Sequence, residues 1–300
     1  MGGGDWKFGW GDQDDASSIA SVHQALDAGI NWIDTAAIYG HGHAEKVVGK
    51  AIQGRRDDVI VATKCGRVWE GESREIGKCL KRESVQREVD ASLQRLGIDQ
   101  IDLYQIHWPE PDAEIEEGWG AVADLIEEGK IRYAGVSNFS LDQLKRIQPI
   151  HPVTSLQPPY SMLLREVESE ILPYCKENQI GVVAYSPMQA GLLTGTFTRE
   201  RVESLPSNDW RKSNQFFMPP QLAAHLDVVE QLRPIAQQLD ISLSQLALAW
   251  VLRRSELTAA IVGARRPEQI LETVKAGDLS LPDGIFEKVE AILSRHGLAR

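Results

Sequence analysis

The stretch Ile-Asn-Trp-Ile-Asp-Thr-Ala-Ala-Ile-Tyr, residues 30–39, decides how the rest of the sequence is interpreted. Its apolar start follows a helix stop at Gly29 and fits a short buried strand, which places Asp34 at the carboxyl end of the strand and Tyr39 in the loop beyond it. Taken alone, the stretch equally fits a structural role, in which Asp34 caps a helix that starts near His43 and Tyr39 packs in the core. The polar residues that end the other strands decide between these two interpretations.

Composition limits the class of protein and its partners. With 300 residues, 42% hydrophobic and 25% charged, the sequence is that of a globular protein large enough to form one α/β domain over residues 1–300. Its net charge of −11 argues against general binding of nucleic acids or anionic membranes. An anionic ligand therefore has to meet a local basic cluster, such as Arg265-Arg266.

The cysteines and the apolar runs indicate the compartment. Cys65, Cys79 and Cys175 form no Cys-x-x-Cys pair, so the sequence contains no sign of a disulfide framework or a zinc knuckle. No apolar run reaches membrane-spanning length, and the first residues lack the pattern of a signal peptide. We therefore expect a cytoplasmic protein with no membrane partner and no metal site.

Apolar patterns alternate along the chain between strand and helix periodicity. Apolar runs predict seven strands, at residues 30–34, 59–63, 101–106, 132–136, 153–157, 180–185 and 259–262. Helical spacing predicts helices between these strands, one of them at about 165–178, and further helices at 221–239 and 242–253 and from 268 and 283 onward. A long excursion at 186–219 is typical of a functional loop.

Strands that alternate with helices form a parallel sheet, which is either a doubly wound open sheet or a closed barrel. A doubly wound sheet gathers its site at one switch point, whereas a barrel gathers it from the ends of many strands. The ends of seven different strands carry Asp34, Lys64, His107, Ser137-Asn138, Gln157, Tyr185 and Gly263. We therefore predict an α/β fold with a closed barrel of the TIM type.

Four of these positions carry side chains that fit proton transfer to a carbonyl. A phenol with its ordinary pKa of about 10 becomes a usable general acid near neutral pH only if that pKa falls, and a nearby ammonium group lowers it. Lys64 can supply the ammonium to Tyr39, and a buried ammonium needs a carboxylate such as Asp34. An imidazole N–H of His107 can then hold the substrate oxygen.

The sequence around these four residues closely resembles that of the aldo-keto reductases. The segments Asp-Thr-Ala-Ala-Ile-Tyr-Gly, Ala-Thr-Lys and Gln-Ile-His-Trp-Pro place Asp34, Tyr39, Lys64 and His107 where that family has its catalytic tetrad. The resemblance runs through nearly the whole chain. It implies a (β/α)8 barrel that transfers hydride between NADP(H) and aldehydes, ketones or sugar carbonyls, with Tyr39 as the general acid.

Further segments resemble the cofactor site of that family. The resemblance gives Ser137, Asn138 and Gln157 to the nicotinamide carboxamide, the Tyr185 ring to the nicotinamide face, and the following loop to the pyrophosphate. It gives the segment from Gly263 to the adenosine end, with Arg265 on the 2′-phosphate and Gln269 and Glu272 near the adenine. The expected cofactor residues are Ser137, Asn138, Gln157, Tyr185, Ser186, Pro187, Met188, Gly191, Leu192, Gly263, Arg265, Gln269 and Glu272.

The start of the chain departs from the family pattern. Family members begin with a hairpin that closes the barrel floor and then a first strand, whereas this sequence starts in what resembles the loop after that strand. We therefore expect the functional protein to carry roughly ten to twenty further residues at its start. This departure bears on barrel closure and on contacts of the first loop, and it leaves the tetrad unaffected.

Three other interpretations fit parts of the sequence. His41-x-His43 is found in metal-dependent barrel hydrolases, but those pairs project from a strand and need further ligands, so a polar turn is favoured. Gly40-x-Gly42 lacks the third glycine of a dinucleotide fingerprint and lies too far beyond its strand. A non-catalytic NADP(H)-binding sensor or regulatory subunit remains an alternative to an enzyme.

The sequence leaves the substrate open among small carbonyl or alcohol compounds. Trp10, Trp69 and Trp108 can supply an apolar wall to such a molecule, and Tyr133 fits the core better. The oligomeric state is not indicated by the sequence.

Overall fold

The structure is a computed structural model that describes residues 9–71 and 75–298, so the Gly-rich start at residues 1–8 lies outside it. The strands of the described residues are β1 (Trp32–Asp34), β2 (Ile60–Cys65), β3 (Arg67–Val68), β4 (Gly77–Lys78), β5 (Ile101–Ile106), β6 (Ile131–Ser137), β7 (Ser155–Gln157), β8 (Gly181–Ala184) and β9 (Ala259–Ala260). All seven predicted strands are present, each within a few residues of its expected bounds.

Helices follow most of these strands. They are α1 (Asp15–Asp27), α2 (His43–Ala51), α3 (Arg82–Leu96), α4 (Ile115–Glu127), α5 (Leu141–Ile147), α6 (Ile171–Glu177), α7 (Arg199–Glu203), α8 (Gln221–Gln238), α9 (Leu243–Leu252), α10 (Pro267–Thr273) and α11 (Asp283–Arg295). In the described residues, no helix combines the length and apolar character needed to cross a lipid bilayer.

The main sheet has seven parallel strands in the order β1-β2-β5-β6-β7-β8-β9 and curls into a half-barrel. The strands are neighbours in the order in which the chain makes them, without the reversal that defines a doubly wound sheet. The register pairs Asp34 with Ala62 and Lys64 with Gln105. The predicted barrel class is confirmed, and the carboxyl ends of the strands meet at one edge.

Alternation along β2 explains why Lys64 faces the barrel interior. Val61 and Cys65 are buried in the hydrophobic core that the sheet shares with the helices. Because successive side chains of a strand point to opposite faces, Lys64 lies on the other face of the sheet from these two residues. The helices cover the outer face through large buried side chains such as Trp119 on α4 and Trp250 on α9.

Two features of the fold were not predicted. β3 and β4 form a short antiparallel hairpin directly after β2. Sequence patterns did not predict it, because strands of two residues are too short to show an alternation of apolar and polar residues. The helix expected at 165–178 is split into a 3-10 turn at Glu166–Glu168 and α6. Pro173 accounts for the late start of α6, since proline is tolerated in the first turn of a helix and disrupts its interior.

Candidate active site

Asp34 and Lys64 form the centre of the site. Asp34 ends β1 and Lys64 lies near the end of the neighbouring strand β2, so the sheet register brings the two side chains together. The Lys64 Nζ atom lies 2.5 Å from Oδ1 of Asp34 and also donates to the Thr35 carbonyl oxygen at 2.9 Å. Both side chains are almost completely buried. The expected partnership of this acid and this ammonium group is present.

The ammonium group of Lys64 is held charged. Burial alone would lower the pKa of Lys64, but the neighbouring carboxylate of Asp34 and the phenol of Tyr39 outweigh it and raise that pKa above its ordinary value. The negative charge of Glu45, a fully buried carboxylate on α2, acts in the same direction. The site therefore contains a fixed positive charge next to the phenol.

Tyr39 lies in the loop after β1, with the Lys64 Nζ atom 5.5 Å from the centre of its ring. Burial raises the pKa of the Tyr39 phenol above its ordinary value, and the Lys64 charge, which lowers that pKa, does not outweigh burial. The expectation that the pKa falls below its ordinary value is therefore wrong. The sequence indicates the charge next to a phenol but does not show how deeply the phenol is buried.

His107 follows β5 and packs its ring edge-on against Tyr39, with ring centroids 5.7 Å apart. Burial, together with the charges of Lys64 and Arg67, lowers the pKa of the His107 imidazole well below 6.5. The imidazole is therefore neutral near pH 7 and can offer an N–H to a substrate oxygen without giving up a proton. The structure brings Asp34, Tyr39, Lys64 and His107 together as one cluster.

A buried ion pair supports the turn after Tyr39. The Nε atom of Arg95, on α3, donates to Oε2 of Glu45 at 2.6 Å, and the hydroxyl of Thr63 donates to Oε1 of Glu45 at 2.6 Å. The turn needs Gly42, because a Cβ atom at that position would lie 2.6 Å from Cδ of Arg95 and its φ is +89°. Sequence reasoning missed this pair, since nothing in the spacing of α2 and α3 links their charges.

The two histidines of the turn contact separate partners. His43 Nε2 lies 2.7 Å from Asp15 Oδ1 at the start of α1. The ring of His41 packs edge-on against Trp69, with centroids 5.5 Å apart. The pair therefore behaves as part of a turn that packs between α1 and the loop before β4.

The residues expected at the nicotinamide lie at the ends of β6, β7 and β8 and are linked by hydrogen bonds. Ser137 Oγ donates to the Gln157 carbonyl oxygen at 2.8 Å, and Tyr185 donates from its hydroxyl to Asn138 Oδ1 at 2.8 Å. The Gln157 amide donates to Oδ2 of Asp34 at 2.7 Å. The structure thus joins Gln157 to the tetrad as well as to its neighbours at the strand ends.

The loop after β8 has the shape of a backbone cradle. Ser186 has a φ of +55° and Gly191 a φ of +98°, and a Cβ atom at position 191 would lie 3.1 Å from the Phe197 ring. Leu192 is fully buried in the core, which anchors the loop, and Pro187 is also buried. Met188 packs against the same core, and its carbonyl oxygen accepts from the Gly191 amide at 3.1 Å. The positive φ and the nearby Phe197 ring therefore favour glycine at position 191.

A pocket of about 410 Å³ lies between the start of α1 and the turn before α10. Arg201, Arg265 and Arg266 line it, together with Gln269, whose Oε1 accepts from the Arg265 amide at 2.8 Å. Three guanidinium groups around one pocket fit a phosphate-bearing ligand such as the adenosine end of a nicotinamide cofactor. Glu272 is exposed, and neither it nor Gly263 lines this pocket.

Arg265 has partners that the sequence did not suggest. Its Nε donates to Gln13 Oε1 at 2.9 Å, its Nη1 to the Trp10 carbonyl at 3.3 Å, and its Nη2 to the Asp12 carbonyl. All three nitrogens of the guanidinium are thus engaged by residues 10–13. Trp10 itself packs against Trp210 with centroids 5.5 Å apart, and it lies with the loop after β8 and not with the tetrad.

Comparisons with a family model, with related sequences and with solved structures all lead to the same family. The model of the Aldo/keto reductase family matches residues 1–294. Aldo-keto reductase YhdN of Bacillus subtilis is 40% identical over 276 residues, which cover 90% of this chain and 82% of that protein. NADH-specific methylglyoxal reductase of Escherichia coli is 39% identical over 94% of this chain and 91% of that protein. The glycerol dehydrogenase structure from Gluconobacter oxydans superposes with a TM-score of 0.89 at 35% identity, over 99% of this chain and 90% of that one.

Proposed function

Because the chain belongs to the aldo/keto reductase family, we propose that Asp34, Tyr39, Lys64 and His107 are its catalytic tetrad. The protein is an oxidoreductase that acts on carbonyl and alcohol groups with a nicotinamide cofactor. The observation that supports the tetrad most directly is the buried pair of Lys64 and Asp34, which holds a cation beside the Tyr39 ring. A non-catalytic sensor is not favoured.

The four tetrad residues have different roles in the transfer of a proton to the carbonyl oxygen. When bound, the reduced cofactor supplies a hydride to the carbonyl carbon. Tyr39 keeps its proton at neutral pH, because its pKa is raised, and gives it to the carbonyl oxygen as negative charge develops there. As Tyr39 loses its proton, the Lys64 ammonium stabilises the phenolate that forms. Its main effect is therefore on the proton transfer itself and not on the resting phenol.

His107 and Asp34 set the geometry of this transfer. The neutral imidazole of His107 donates an N–H to the carbonyl oxygen and so positions it next to the Tyr39 hydroxyl. Asp34 keeps Lys64 protonated and is itself oriented by the Gln157 amide. Each tetrad residue thus has a separate task.

We propose NADP(H) as the cofactor form, held along the strand ends from Tyr185 to the pocket before α10. Ser137, Asn138 and Gln157 would bind the carboxamide, and the cradle from Ser186 to Leu192 would bind the pyrophosphate. The arginines of the pocket support the 2′-phosphate form. The Arg265 guanidinium is already hydrogen-bonded to residues 10–13. We therefore propose that Arg266 makes the main contact with the 2′-phosphate and that Arg265 lines the pocket.

The proposed substrates are small aldehydes and ketones, including sugar and polyol carbonyls. One relative is named for methylglyoxal and one solved neighbour for glycerol, and both are small oxygenated compounds. We further propose that the chain acts as a single domain in the cytoplasm, which its three free cysteines favour.

A panel of small aldehydes and ketones tests this function. Loss of reduced cofactor, with NADPH and NADH compared at equal concentration, is followed by absorbance, and the alcohol product is identified by mass spectrometry. We expect turnover of at least one class of carbonyl with a lower KM for NADPH than for NADH. Binding of NADPH without turnover of any carbonyl or alcohol in the panel would favour the sensor instead.

A further inference from the structure

Arg67 lies beside the catalytic imidazole in a position that the mechanism above does not use. It starts β3, three residues after Lys64, and its side chain is 14% exposed. Its guanidinium carbon lies 5.6 Å from the ring centre of Trp108, the residue that directly follows His107. The charge of Arg67 is also one of those that lower the pKa of His107. A cation is thus held at the edge of the site.

Glu110 holds this guanidinium without occupying all of its donors. Arg67 Nη2 donates to Glu110 Oε2 at 2.6 Å, and the same oxygen lies 2.9 Å from Nζ of Lys78, on β4. One carboxylate is therefore shared between two cations and balances only one of them. Among the described residues, Nε and Nη1 of Arg67 have no hydrogen-bond partner. Within the part of the chain that the structure describes, a positive charge and N–H groups therefore remain available to a ligand.

We propose that Arg67 determines substrate specificity by selecting carbonyl compounds that carry a carboxylate close to the reacting carbonyl. The inference rests on the proposed function and adds a substrate class to it. The chain as a whole has a net charge of −11, so attraction of an anion to this place comes from the local cations and not from a generally basic surface.

The position of Trp108 indicates how such a substrate lies. With the carbonyl oxygen held by Tyr39 and His107, the carbon chain extends over Trp108, whose side chain is 39% exposed and offers apolar surface. The guanidinium of Arg67 lies over the same ring, and its remaining N–H groups can donate charge-assisted hydrogen bonds to a carboxylate. Short aldehyde acids, in which a few carbons separate the two groups, fit this arrangement.

The test compares two matched substrates on the same enzyme. 4-Oxobutanoate and butanal have the same carbon chain and differ in one carboxylate. We expect the unaltered protein to prefer 4-oxobutanoate in kcat/KM and to lose this preference as salt concentration rises. Arg67→Met should reduce kcat/KM for 4-oxobutanoate by about 10- to 100-fold, mainly through KM, with a several-fold smaller loss for butanal.

Two further variants separate recognition from loss of structure. Lys78→Met removes the other cation bound to Glu110 on the same hairpin, and we expect it to keep the preference for 4-oxobutanoate. Arg67→Lys keeps the charge but not the paired N–H groups, and we expect it to retain part of the preference.

Three results would overturn the proposal. They are equal losses for both substrates in Arg67→Met, loss of the preference in Lys78→Met, and an unaltered protein that shows no preference. In each of these results the unaltered protein still reduces butanal, so they are distinct from failure of the proposed function, in which the unaltered protein reduces neither aldehyde.

Discussion

Arg95 Nε lies 2.6 Å from Oε2 of Glu45, and this pair joins helix α3 to the helix that begins directly after the Tyr39 turn. Glu45 is fully buried, and Arg95 is largely so. Removing one member of a buried pair leaves an uncompensated charge, which is more destabilising than the pair itself is stabilising.

Arg95→Met should therefore destabilise the protein by about 3–5 kcal/mol, measured by chemical denaturation. The control is Arg82→Met, because Arg82 pairs with Asp124 at the surface and its loss should cost about 1 kcal/mol or less. Similar losses in the two variants would show that burial of Glu45 does not govern the energy of its pair.

Tyr39→Phe keeps the ring and removes the acid. General acid catalysis contributes about 10²- to 10⁴-fold, so we expect kcat to fall by that factor while NADPH binding, measured by fluorescence titration, stays nearly unchanged. Lys64→Met should lose as much, since the phenolate then has no cation to stabilise it. A Tyr39→Phe protein with the kcat of the parent would exclude Tyr39 as the proton donor.

The two adjacent arginines should differ in their effect on cofactor choice. Arg266→Glu should weaken the binding of NADPH by about 2 kcal/mol or more. The binding of NADH should weaken much less, because only NADPH carries the 2′-phosphate. Arg265→Glu removes the bonds to residues 10–13 and should weaken both cofactors to a similar degree. If Arg265→Glu is the selective variant, the phosphate contact belongs to Arg265, as the resemblance implied.

Glu88 makes stability depend on pH. Its carboxylate accepts from the Gly66 amide at 2.8 Å, and burial raises its pKa from 4.5 to about 7. A carboxyl whose pKa is higher in the folded state stabilises the fold below pH 4.5, and this contribution is lost as pH rises through 7. Glu88→Gln removes this pH dependence. Its free energy of unfolding should exceed that of the parent by roughly 1–3 kcal/mol between about pH 5 and 8.

The measurement is the difference in free energy of unfolding between Glu88→Gln and the parent across that pH range. Asp142→Asn, at an exposed carboxyl on α5, serves as the control for removal of one carboxyl charge. A flat difference for Glu88→Gln would mean that its carboxyl titrates normally in the folded protein.

Strand ends and polar residues could be predicted because both are local properties of the sequence. The run Ile101–Ile106 was predicted to its exact bounds, and Lys64 and His107 were placed at strand ends where the structure has them. The pairing of Asp34 with Lys64 could be predicted because a buried ammonium needs a carboxylate and both residues were placed at strand ends.

What could not be predicted depends on contacts between distant parts of the chain. The depth of burial that raises the pKa of Tyr39 comes from the packing of the whole barrel. The engagement of Arg265 by residues 10–13 joins positions more than 250 residues apart. The pair of Arg95 and Glu45 likewise connects two helices whose charges carry no pattern of their own.

The bonds between Arg265 and residues 10–13 also set an order of assembly while the chain is being synthesised. The four residues of the proposed tetrad have left the ribosome once residue 107 and the segment behind it have emerged, whereas the pocket proposed for the adenosine needs Arg265 and Arg266, which are synthesised much later. Folding during synthesis proceeds from the N-terminus. Under the proposed roles, a nascent chain therefore contains the side chains for proton transfer well before it contains the arginines proposed to bind the nucleotide.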